Sequence, residues 1–409
     1  MTIQNIVSHL DTTRSAREEL YKEFHRIPEL SLQEHKTSAK IRGELDRIGV
    51  DELNPVGRTG LVAILRNGDG PVVAMRADID GLPMAEQSGK DYSAEGVTQV
   101  DENTGVETPV AHTCGHDVHI VSLLGALEAL AAARGEWSGT FVGVFQPAEE
   151  IAAGAQDMVD NDIAAKMPTP DVYLGQHVLG MVPGGAVGTR RGPLFSQAAS
   201  IKITIYGKGS HGAMPNLGVD PIVLGASIVT RLQTIISREV APKETAVVTV
   251  GSFHAGTKSN IIPDSAILLL NTRAYNAEVS ASLHEAIERI VKAECEASRS
   301  PREPEFEYFD VYPLTNNDDD VTDTVAAAFD DFFGENSVEM GPVPASEDFS
   351  VIPDSLGVPY TFWGLGGFAD TATAPGNHSP FFAPDIQPTL DRGAEAIIVA
   401  ASPWLLKEN

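Results

Sequence analysis

The sequence has few cysteines, no long apolar run and a shortage of positive charge. Its 409 residues include two cysteines, Cys114 and Cys295, which excludes a disulfide scaffold and fits a reducing compartment. No run approaches the roughly 20 apolar residues that a membrane span requires. No basic segment followed by an apolar run stands near the start of the sequence, so we expect no signal peptide. These absences predict a soluble, cytoplasmic protein.

Acidic residues outnumber basic residues by 57 to 29, which gives a net charge of −28. Such a surface repels the phosphates of nucleic acids and of anionic membranes. We therefore expect neither nucleic acid nor a membrane as a partner. The apolar share of 42% is ample for a packed core. The chain exceeds the length of one ordinary domain, so two domains are the default expectation.

Residues 1–195 alternate helix and strand signals, which is typical of an α/β domain. The first helix is predicted with Asp11 as its N-cap. Three apolar runs, 71–78, 139–150 and 171–178, each lead into Asp, Glu or His. In open α/β sheets, sites lie at the carboxyl ends of the strands. The sequence therefore predicts a large α/β domain with a central, mostly parallel sheet and a site at that edge.

The pattern changes near residue 196, and a strictly alternating strand follows at 200–206. Residues 196–312 then follow the order βαββαβ, which is that of a ferredoxin-like unit. The predicted elements are a strand at 200–206, a helix at 220–239, strands at 245–253 and 265–275, a helix at 278–297 and a strand at 306–312. Residues 313–409 resume helix and strand signals, so the small unit is predicted to be an insertion in the larger α/β domain.

Several residues with metal-binding side chains stand at predicted strand ends, at a helix start or in a loop. Cys114 and His116 form a Cys-x-His pair where a helix is predicted to begin, and thiolate and imidazole bind zinc-like ions strongly. Glu149 and Glu150 follow an apolar strand. Because neighbouring side chains on a strand point to opposite sides, one carboxylate can bind a metal while the other faces the attacking water. The remaining candidates are His177 and His378.

Taken singly, each of these residues has a structural interpretation, since buried cysteines and hydrogen-bonded histidines are common. For His112 and His119 we keep that interpretation. Together, the candidates supply one thiolate, three imidazoles and a carboxylate, a set too soft for magnesium or calcium and suited to zinc, manganese, cobalt or nickel. Five protein ligands indicate two divalent ions that share a bridge, about 3.5–4 Å apart in such sites. Glu149 then remains to accept a proton.

At this point the sequence resembles the metal-dependent amidohydrolases of the aminoacylase and hippurate hydrolase group, relatives of zinc carboxypeptidases and dipeptidases. The motifs that carry the resemblance run in the family's order along nearly the whole chain. They are FHRIPELSLQEHKTS (24–38), RADIDGLPMAEQSG (76–89), HTCGHDVH (112–119), FQPAEE (145–150), GQHV (175–178), GKGSHGAMP (207–215), DPIVLGASIVTRLQTIISR (220–238), TVGSFHAGTKSNIIPD (249–264), ASEDF (345–349) and NHSPFF (377–382). The resemblance implies that residues 1–195 and 313–409 form a catalytic domain, and that 196–312 form a lid and dimerisation domain.

The resemblance also implies roles for the candidate residues. Those that match the family's metal ligands are Cys114, His116, Glu150, His177 and His378. Glu149 matches the general base, and Asp80 matches an aspartate that braces the metal site. Elsewhere in the superfamily a ligand histidine occupies the position of Asp78, so a ligand role for Asp78 stays open. Asp117 is interpreted as orienting a ligand histidine.

The inserted domain is expected to contribute three side chains. His211 matches a lid histidine that, in the family, reaches the partner subunit and helps to stabilise the tetrahedral intermediate, which implies a homodimer or a higher homo-oligomer. Asn260 and Arg273 match positions that grip the substrate's carboxylate, to which an arginine donates two parallel hydrogen bonds. Without the resemblance, we would interpret Arg273 as part of a salt bridge on a strand face.

The sequence departs from the group at three places near the predicted site. Thr113 stands where alanine is usual, Ile151 stands where glycine is usual, and the loop at 98–110 is longer. None of these changes removes a ligand or the base. The predicted function is therefore metal-dependent hydrolysis of N-acyl amino acids or similar amides. The alternatives are a dipeptidase or exopeptidase on the same fold and a non-catalytic binding protein.

Overall fold

The computed structural model describes residues 3–406 of the chain. It is a mixed α/β structure, which confirms the predicted fold class, and it divides into two compact units. The larger unit comprises the residues up to Gly192, Asn316–Gly341 and the residues from Asp348 onward. The smaller unit comprises Pro193–Thr315 and the short segment Pro342–Glu347.

Nine α-helices and eighteen strands lie within residues 3–406. The helices are α1 Ile3–His25, α2 His35–Ile48, α3 His116–Ala132, α4 Gly154–Asp160, α5 Pro221–Thr234, α6 Ala277–Ala297, α7 Asp319–Phe333, α8 Val351–Leu356 and α9 Ile386–Leu405. The strands are β1 Glu52–Val56, β2 Gly60–Asn67, β3 Val72–Asp78, β4 Thr98–Val100, β5 Glu107–Pro109, β6 Gly139–Gln146, β7 Val172–Pro183, β8 Val187–Thr189, β9 Gly192–Phe195, β10 Gln197–Tyr206, β11 Ser210–His211, β12 Ala246–Ala255, β13 Ile261–Ile262, β14 Ser265–Ala274, β15 Glu305–Tyr312, β16 Thr315–Asn317, β17 Ser337–Glu339 and β18 Tyr360–Phe368. Across that part of the chain, every helix is too short or too polar to span a membrane.

An eight-stranded sheet forms the centre of the larger unit, in the order β1-β2-β6-β3-β7-β18-β8-β17. Its four central strands, β6, β3, β7 and β18, run parallel to one another. All eight residues of β6 are buried, as expected for a parallel strand covered on both faces of the sheet. Helix α3 packs against α1 and α9. The shared strand direction brings the carboxyl ends of β3 and β6 to the same edge, where Asp78 pairs in register with Gln146.

The smaller unit contains a four-stranded antiparallel sheet in the order β12-β14-β10-β15. Along the chain the elements follow β10-α5-β12-β14-α6-β15, which confirms the predicted ferredoxin-like unit. The buried residues of β10 alternate along the strand and join α5 and α6 in one apolar core. A separate two-stranded ribbon, β11 with β13, belongs to the same unit.

The first helix begins earlier than its predicted N-cap. Helix α1 starts at Ile3, and Asp11 lies in its interior, where it pairs with Arg14 at 3.0 Å. The helical spacing of buried apolar residues already begins at Ile6 and Leu10. This packing extends the helix past a residue that is otherwise a good cap, so the prediction for Asp11 is wrong.

Candidate metal centre

Four segments of the larger unit bring five ligand-type side chains together. Cys114 and His116 stand at the start of α3, Glu150 lies in the turn after β6, His177 lies on β7, and His378 lies in the loop before α9. The Cys114 Sγ is 3.5 Å from the His177 Nε2. The Glu150 Oε2 is 3.2 Å from the His378 Nε2. Residues that are far apart in the sequence therefore meet at one place.

The five side chains form two overlapping groups, and the ligand atoms within each group lie within 4.8 Å of one another. One group contains Cys114, His116 and His177. The other contains Cys114, Glu150 and His378. Because the Cys114 sulfur belongs to both groups, the arrangement could hold two ions that share one thiolate.

The atoms that face this space suit a divalent cation. The His116 Nε2 and Glu150 Oε1 are buried, have no hydrogen-bond partner within residues 3–406 and lie 3.7 Å apart. Burial of a polar atom without a hydrogen-bond partner lowers the stability of the fold. Burial, followed by the charges of Glu150 and Glu149, raises the pKa of the Cys114 thiol. Burial also holds the pKa of His177 well below its ordinary value, which keeps its lone pair available. A zinc-like ion would satisfy all of these groups.

Asp80 braces two of the ligands at once. Its Oδ1 lies 3.2 Å from the His116 Nδ1, while its Oδ2 accepts from the Ser31 hydroxyl at 2.7 Å and from the Glu150 N–H at 3.1 Å. Burial lowers the pKa of His116, but the carboxylates of Asp78 and Asp80 outweigh it and raise that pKa to about 10. A carboxylate on Nδ1 leaves Nε2 directed toward the site, as is usual for ligand histidines.

The contacts of Asp78 and His119 favour a supporting role for both residues. The Asp78 carboxylate accepts from the buried Arg76 guanidinium at 2.6 Å and lies 2.5 Å from the His119 Nδ1. The His119 Nε2 in turn accepts from the Val178 N–H at 2.9 Å. Although Asp78, His119 and His177 lie close enough to form a ligand group, both oxygens of Asp78 and both nitrogens of His119 already have partners.

Asp117 has a different partner from the one that we expected. Its Oδ2 lies 2.6 Å from the Nδ1 of His25, whose Nε2 lies 3.0 Å from the Glu86 carboxylate. Burial lowers the pKa of His25, but Asp117 and Glu86 outweigh it and raise that pKa to about 9. The contact between Asp117 and His25 therefore joins the start of α3 to the end of α1. Asp117 does not orient a ligand histidine. Sequence reasoning missed His25 and Glu86, although both lie in the quoted family motifs.

Glu149 lies in a tight turn and not at the end of a strand as predicted. Strand β6 ends at Gln146, and Glu149–Ile151 forms a 3₁₀ turn. The turn is flanked by Ala148 and Ala152, which have left-handed φ values of +49° and +53°. The buried Glu34 carboxylate accepts from the Ala148 N–H at 2.9 Å. The turn directs both glutamates to the site, and the Glu149 Oε2 lies 4.0 Å from the His116 Nε2.

Two of the predicted residues in the smaller unit lie at the β11–β13 ribbon: His211 is the last residue of β11, and Asn260 directly precedes β13. His211 pairs with Ile261, and the Gly212 N–H donates to the Asn260 carbonyl at 2.8 Å. The structure therefore brings His211 and Asn260 together. Both side chains are exposed.

Arg273 lies elsewhere in the smaller unit, near the end of β14. Its guanidinium donates to the Asn271 side chain at 3.2 Å, and to the Pro344 carbonyl and the Ser346 hydroxyl at 3.1 Å each. These acceptors are neutral, so among residues 3–406 the Arg273 guanidinium pairs with an amide, a carbonyl and a hydroxyl group and with no carboxylate. The interpretation of Arg273 as part of a strand-face salt bridge is therefore wrong.

Comparison with known proteins decides the family of this chain. Residues 74–400 match the model of peptidase family M20/M25/M40. The chain belongs to this family. It is 33% identical to the IAA-amino acid hydrolase ILR1-like 4 of Arabidopsis thaliana, with 94% of this chain and 85% of the relative covered. It is also 33% identical to the N-acetylcysteine deacetylase of Bacillus subtilis, with 93% and 92% covered.

A solved structure of the same family has a similar fold. It is the Bacillus subtilis YXEP protein, described as a dinuclear metal binding peptidase from the M20 family. The TM-score is 0.77 at 28% sequence identity, with 96% of this chain and 98% of that chain covered. These findings confirm the family resemblance, and the chain is a metal-dependent hydrolase that acts on amide bonds. The alternative of a non-catalytic binding protein is thereby removed.

Proposed function

We propose that this M20-family hydrolase cleaves the amide bond of N-acyl amino acids or similar amides, and that it does so with two divalent ions. The observation that carries the proposal is the pair of ligand groups that share Cys114, with the Glu149 carboxylate beside them. His116 and His177 complete one group, and Glu150 and His378 complete the other. The donor set suits zinc, manganese, cobalt or nickel.

When bound, such ions would lower the pKa of water toward 7 and polarise the substrate's carbonyl group. Glu149 has the position of the general base. It is 5% exposed and stands beside His116, so it can take a proton from the attacking water and pass it to the departing nitrogen. Its neighbour Glu150 faces His378. Glu150 would therefore bind metal, while Glu149 would transfer the proton.

His211 is suited to donate a hydrogen bond to the oxygen that becomes negative in the transition state. Its Nδ1 accepts from the Ala213 N–H at 3.0 Å, so in the neutral imidazole Nε2 carries the proton. A donor aimed at a developing oxyanion accelerates acyl transfer. Asn260 and Arg273 would hold the substrate's carboxylate, and the neutral partners of Arg273 leave its charge unpaired for that purpose.

The positions of His211 and Arg273 favour a homodimer. The ribbon that carries His211 adjoins Ser265, the first residue of β14, and Arg273 lies eight residues farther along that strand, a length of about 26 Å. This length exceeds that of a small substrate, so we expect side chains of two copies to hold its two ends. The smaller unit also exposes several large apolar side chains, as an interface would. They include Met214, Leu217, Ile222, Val223 and Ile261.

Two exposed apolar side chains favour an apolar acyl group. Ile151 follows Glu150 directly and is 39% exposed, and Phe381 lies three residues after His378 and is 56% exposed. Since Glu150 and His378 are in contact, both apolar residues belong to loops at the same group of ligands. The N-acyl side of the substrate could pack against them.

An activity screen tests this proposal. The protein would be reconstituted separately with manganese, zinc and cobalt and assayed on N-acetyl amino acids, N-benzoyl amino acids and dipeptides in parallel. We expect the highest kcat/KM on N-acyl amino acids, and a loss of activity when the free carboxylate is replaced by a methyl ester. Faster cleavage of dipeptides would favour the dipeptidase alternative, and inactivity on all three classes would contradict the proposal.

A further inference from the structure

Asn377, which directly precedes the candidate ligand His378, contacts the segments that carry two other ligands. Its side-chain amide nitrogen donates to the Cys114 carbonyl at 3.1 Å and to the Val178 carbonyl at 3.0 Å. The same nitrogen lies 3.9 Å from the Cys114 Sγ. The two amide hydrogens of Asn377 therefore bond to two segments that are separate in the sequence, one at Cys114 and the other at Val178.

The Val178 carbonyl links this amide to a ligand imidazole. Its oxygen also accepts from the His177 Nδ1 at 2.9 Å, and that bond directs the His177 Nε2 toward Cys114. One carbonyl oxygen therefore fixes both the ring of His177 and the side chain of Asn377. Removal of the amide would loosen the contact that orients His177 as well as the contact with Cys114.

The side-chain amide of Asn377 also stabilises the unusual backbone conformation of His378. His378 has a left-handed φ of +66°, a conformation that a residue other than glycine keeps only where its surroundings impose it. The His378 N–H donates to the Thr113 carbonyl at 2.9 Å, and the Asn377 side chain supplies two more bonds next to it. Most of the preceding residues, 371–376, are exposed, so these bonds fix His378 in a loop that is otherwise open to solvent.

We propose that Asn377 is a positioning residue that sets the placement of Cys114, His177 and His378 relative to one another, and hence the affinity of the site for its divalent ions. This inference rests on the proposed function, since it takes these three residues as ligands. The geometry requires an NH₂ group. A carboxylate of the same shape would donate no hydrogen bond and would add a negative charge beside two carbonyl oxygens and the sulfur.

A cobalt titration tests the inference without a catalytic assay. Cobalt bound by a thiolate absorbs in the near ultraviolet, so this absorption reports coordination by Cys114, and competition with a chelator gives the affinity. The variants are Asn377→Ala and Asn377→Asp. The matched control is Asn67→Ala, because Asn67 also donates to two backbone carbonyls, those of Arg134 at 2.6 Å and Trp137 at 2.7 Å. The unfolding temperature of each metal-free protein would be measured alongside.

We expect both Asn377 variants to bind cobalt about 10–100-fold more weakly than the wild type, the usual effect of losing a residue that orients metal ligands. Asn377→Asp should be at least as weak as Asn377→Ala although it keeps the shape of the side chain. Asn67→Ala should lower the unfolding temperature as much as Asn377→Ala and leave cobalt affinity unchanged. Excess metal should restore part of the kcat lost in Asn377→Ala.

Wild-type cobalt affinity in either folded Asn377 variant would overturn the inference, and so would an equal loss of affinity in Asn67→Ala. Asn377→Asp keeps the test decisive if Asn377→Ala does not fold, since it preserves the packing volume. The proposed function fails in a different way. A wild-type protein that binds cobalt but hydrolyses no N-acyl amino acid would contradict the proposed substrate, while the titration would still decide the role of Asn377.

Discussion

The two units hold their candidate functional residues in different ways. In the larger unit the ligand atoms are mostly buried, and the spare atoms of His116 and His177 are bonded to Asp80 and to a backbone carbonyl. In the smaller unit, His211 is exposed on a ribbon of two residues per strand, and Asn260, which directly precedes the second strand, is exposed as well. The comparison teaches that one chain by itself brings the candidate ligands together in a buried, hydrogen-bonded arrangement, whereas the residues expected to contact the substrate are held by few neighbours.

The difference has a physical cause. Buried charges require partners, and the metal centre is surrounded by residues that supply them, such as Arg76 for Asp78 and Ser31 for Asp80. Exposed side chains on a ribbon need no such support. Substitutions of buried residues around the candidate ligands should therefore affect metal binding or stability, with the exception of substitutions at the base Glu149. Substitutions on the β11–β13 ribbon should affect only the catalytic rate.

The largest effect is expected for the base itself. Glu149→Gln keeps the size of the side chain but cannot accept a proton, so kcat should fall about 10²–10⁴-fold, the usual contribution of a general base. Metal content should stay that of the wild type, because the proposed ligands of both ions do not include Glu149, although its carboxylate also lies within 4.8 Å of the His116 and Glu150 ligand atoms. The checks are steady-state kinetics and metal analysis, with the exposed Glu335→Gln as the control. Near-normal turnover would remove Glu149 from the mechanism.

A smaller effect is expected on the ribbon. His211→Ala should lower kcat about 10²–10³-fold, as the loss of one donor to an oxyanion does, with unchanged metal content and unchanged unfolding temperature. The control is His254→Ala, since His254 is also exposed in the smaller unit. An unchanged kcat would contradict the role of His211. A loss of metal would contradict the contrast between the two units.

The smallest effect is expected for His25, whose contact with Asp117 joins the end of α1 to the start of α3. Because the pKa of His25 is raised to about 9 in the folded chain, its pairing with Asp117 and Glu86 stabilises the fold fully below its unfolded pKa of about 6.5. This contribution, on the order of 3 kcal/mol, is lost as the pH rises through about 9.

Urea unfolding at a series of pH values between 6 and 10 measures the contribution of His25. The wild type should lose free energy of unfolding between about pH 6.5 and 9, and His25→Gln should show a flatter dependence over that window. Equal slopes for the two proteins would show that His25 is not charged in the folded state.

The features that could be predicted from the sequence are those that depend on the local pattern of apolar and polar residues. Buried apolar runs that end in polar residues predicted the parallel sheet and its active edge, and strict alternation from residue 200 predicted the ferredoxin-like unit. Residue types, together with their predicted places at a helix start and after a strand, predicted that Cys114, His116 and Glu150 would meet, and the structure brings them together. Their roles as ligands stay predictions.

The part that was not predictable depends on contacts across the chain or on unusual backbone. The bond between His25 and Asp117 joins residues 92 positions apart, and no periodicity encodes it. The turn at Glu149 depends on alanines with positive φ, a conformation that alanine does not favour by itself. Glu34 and the surrounding buried network impose that turn, and only the folded structure shows them.

The central claim is that Cys114 would belong to the ligand groups of two ions, while the Glu149 carboxylate would bind neither ion and would act as the base. Anomalous diffraction from crystals grown with cobalt or zinc measures this directly. Our account predicts two anomalous peaks per chain, one bound by His116 and His177 and the other by Glu150 and His378, with the Cys114 sulfur bound to both and the Glu149 carboxylate to neither. A single peak, or a peak coordinated by Glu149 or by Asp78 and His119, would contradict it.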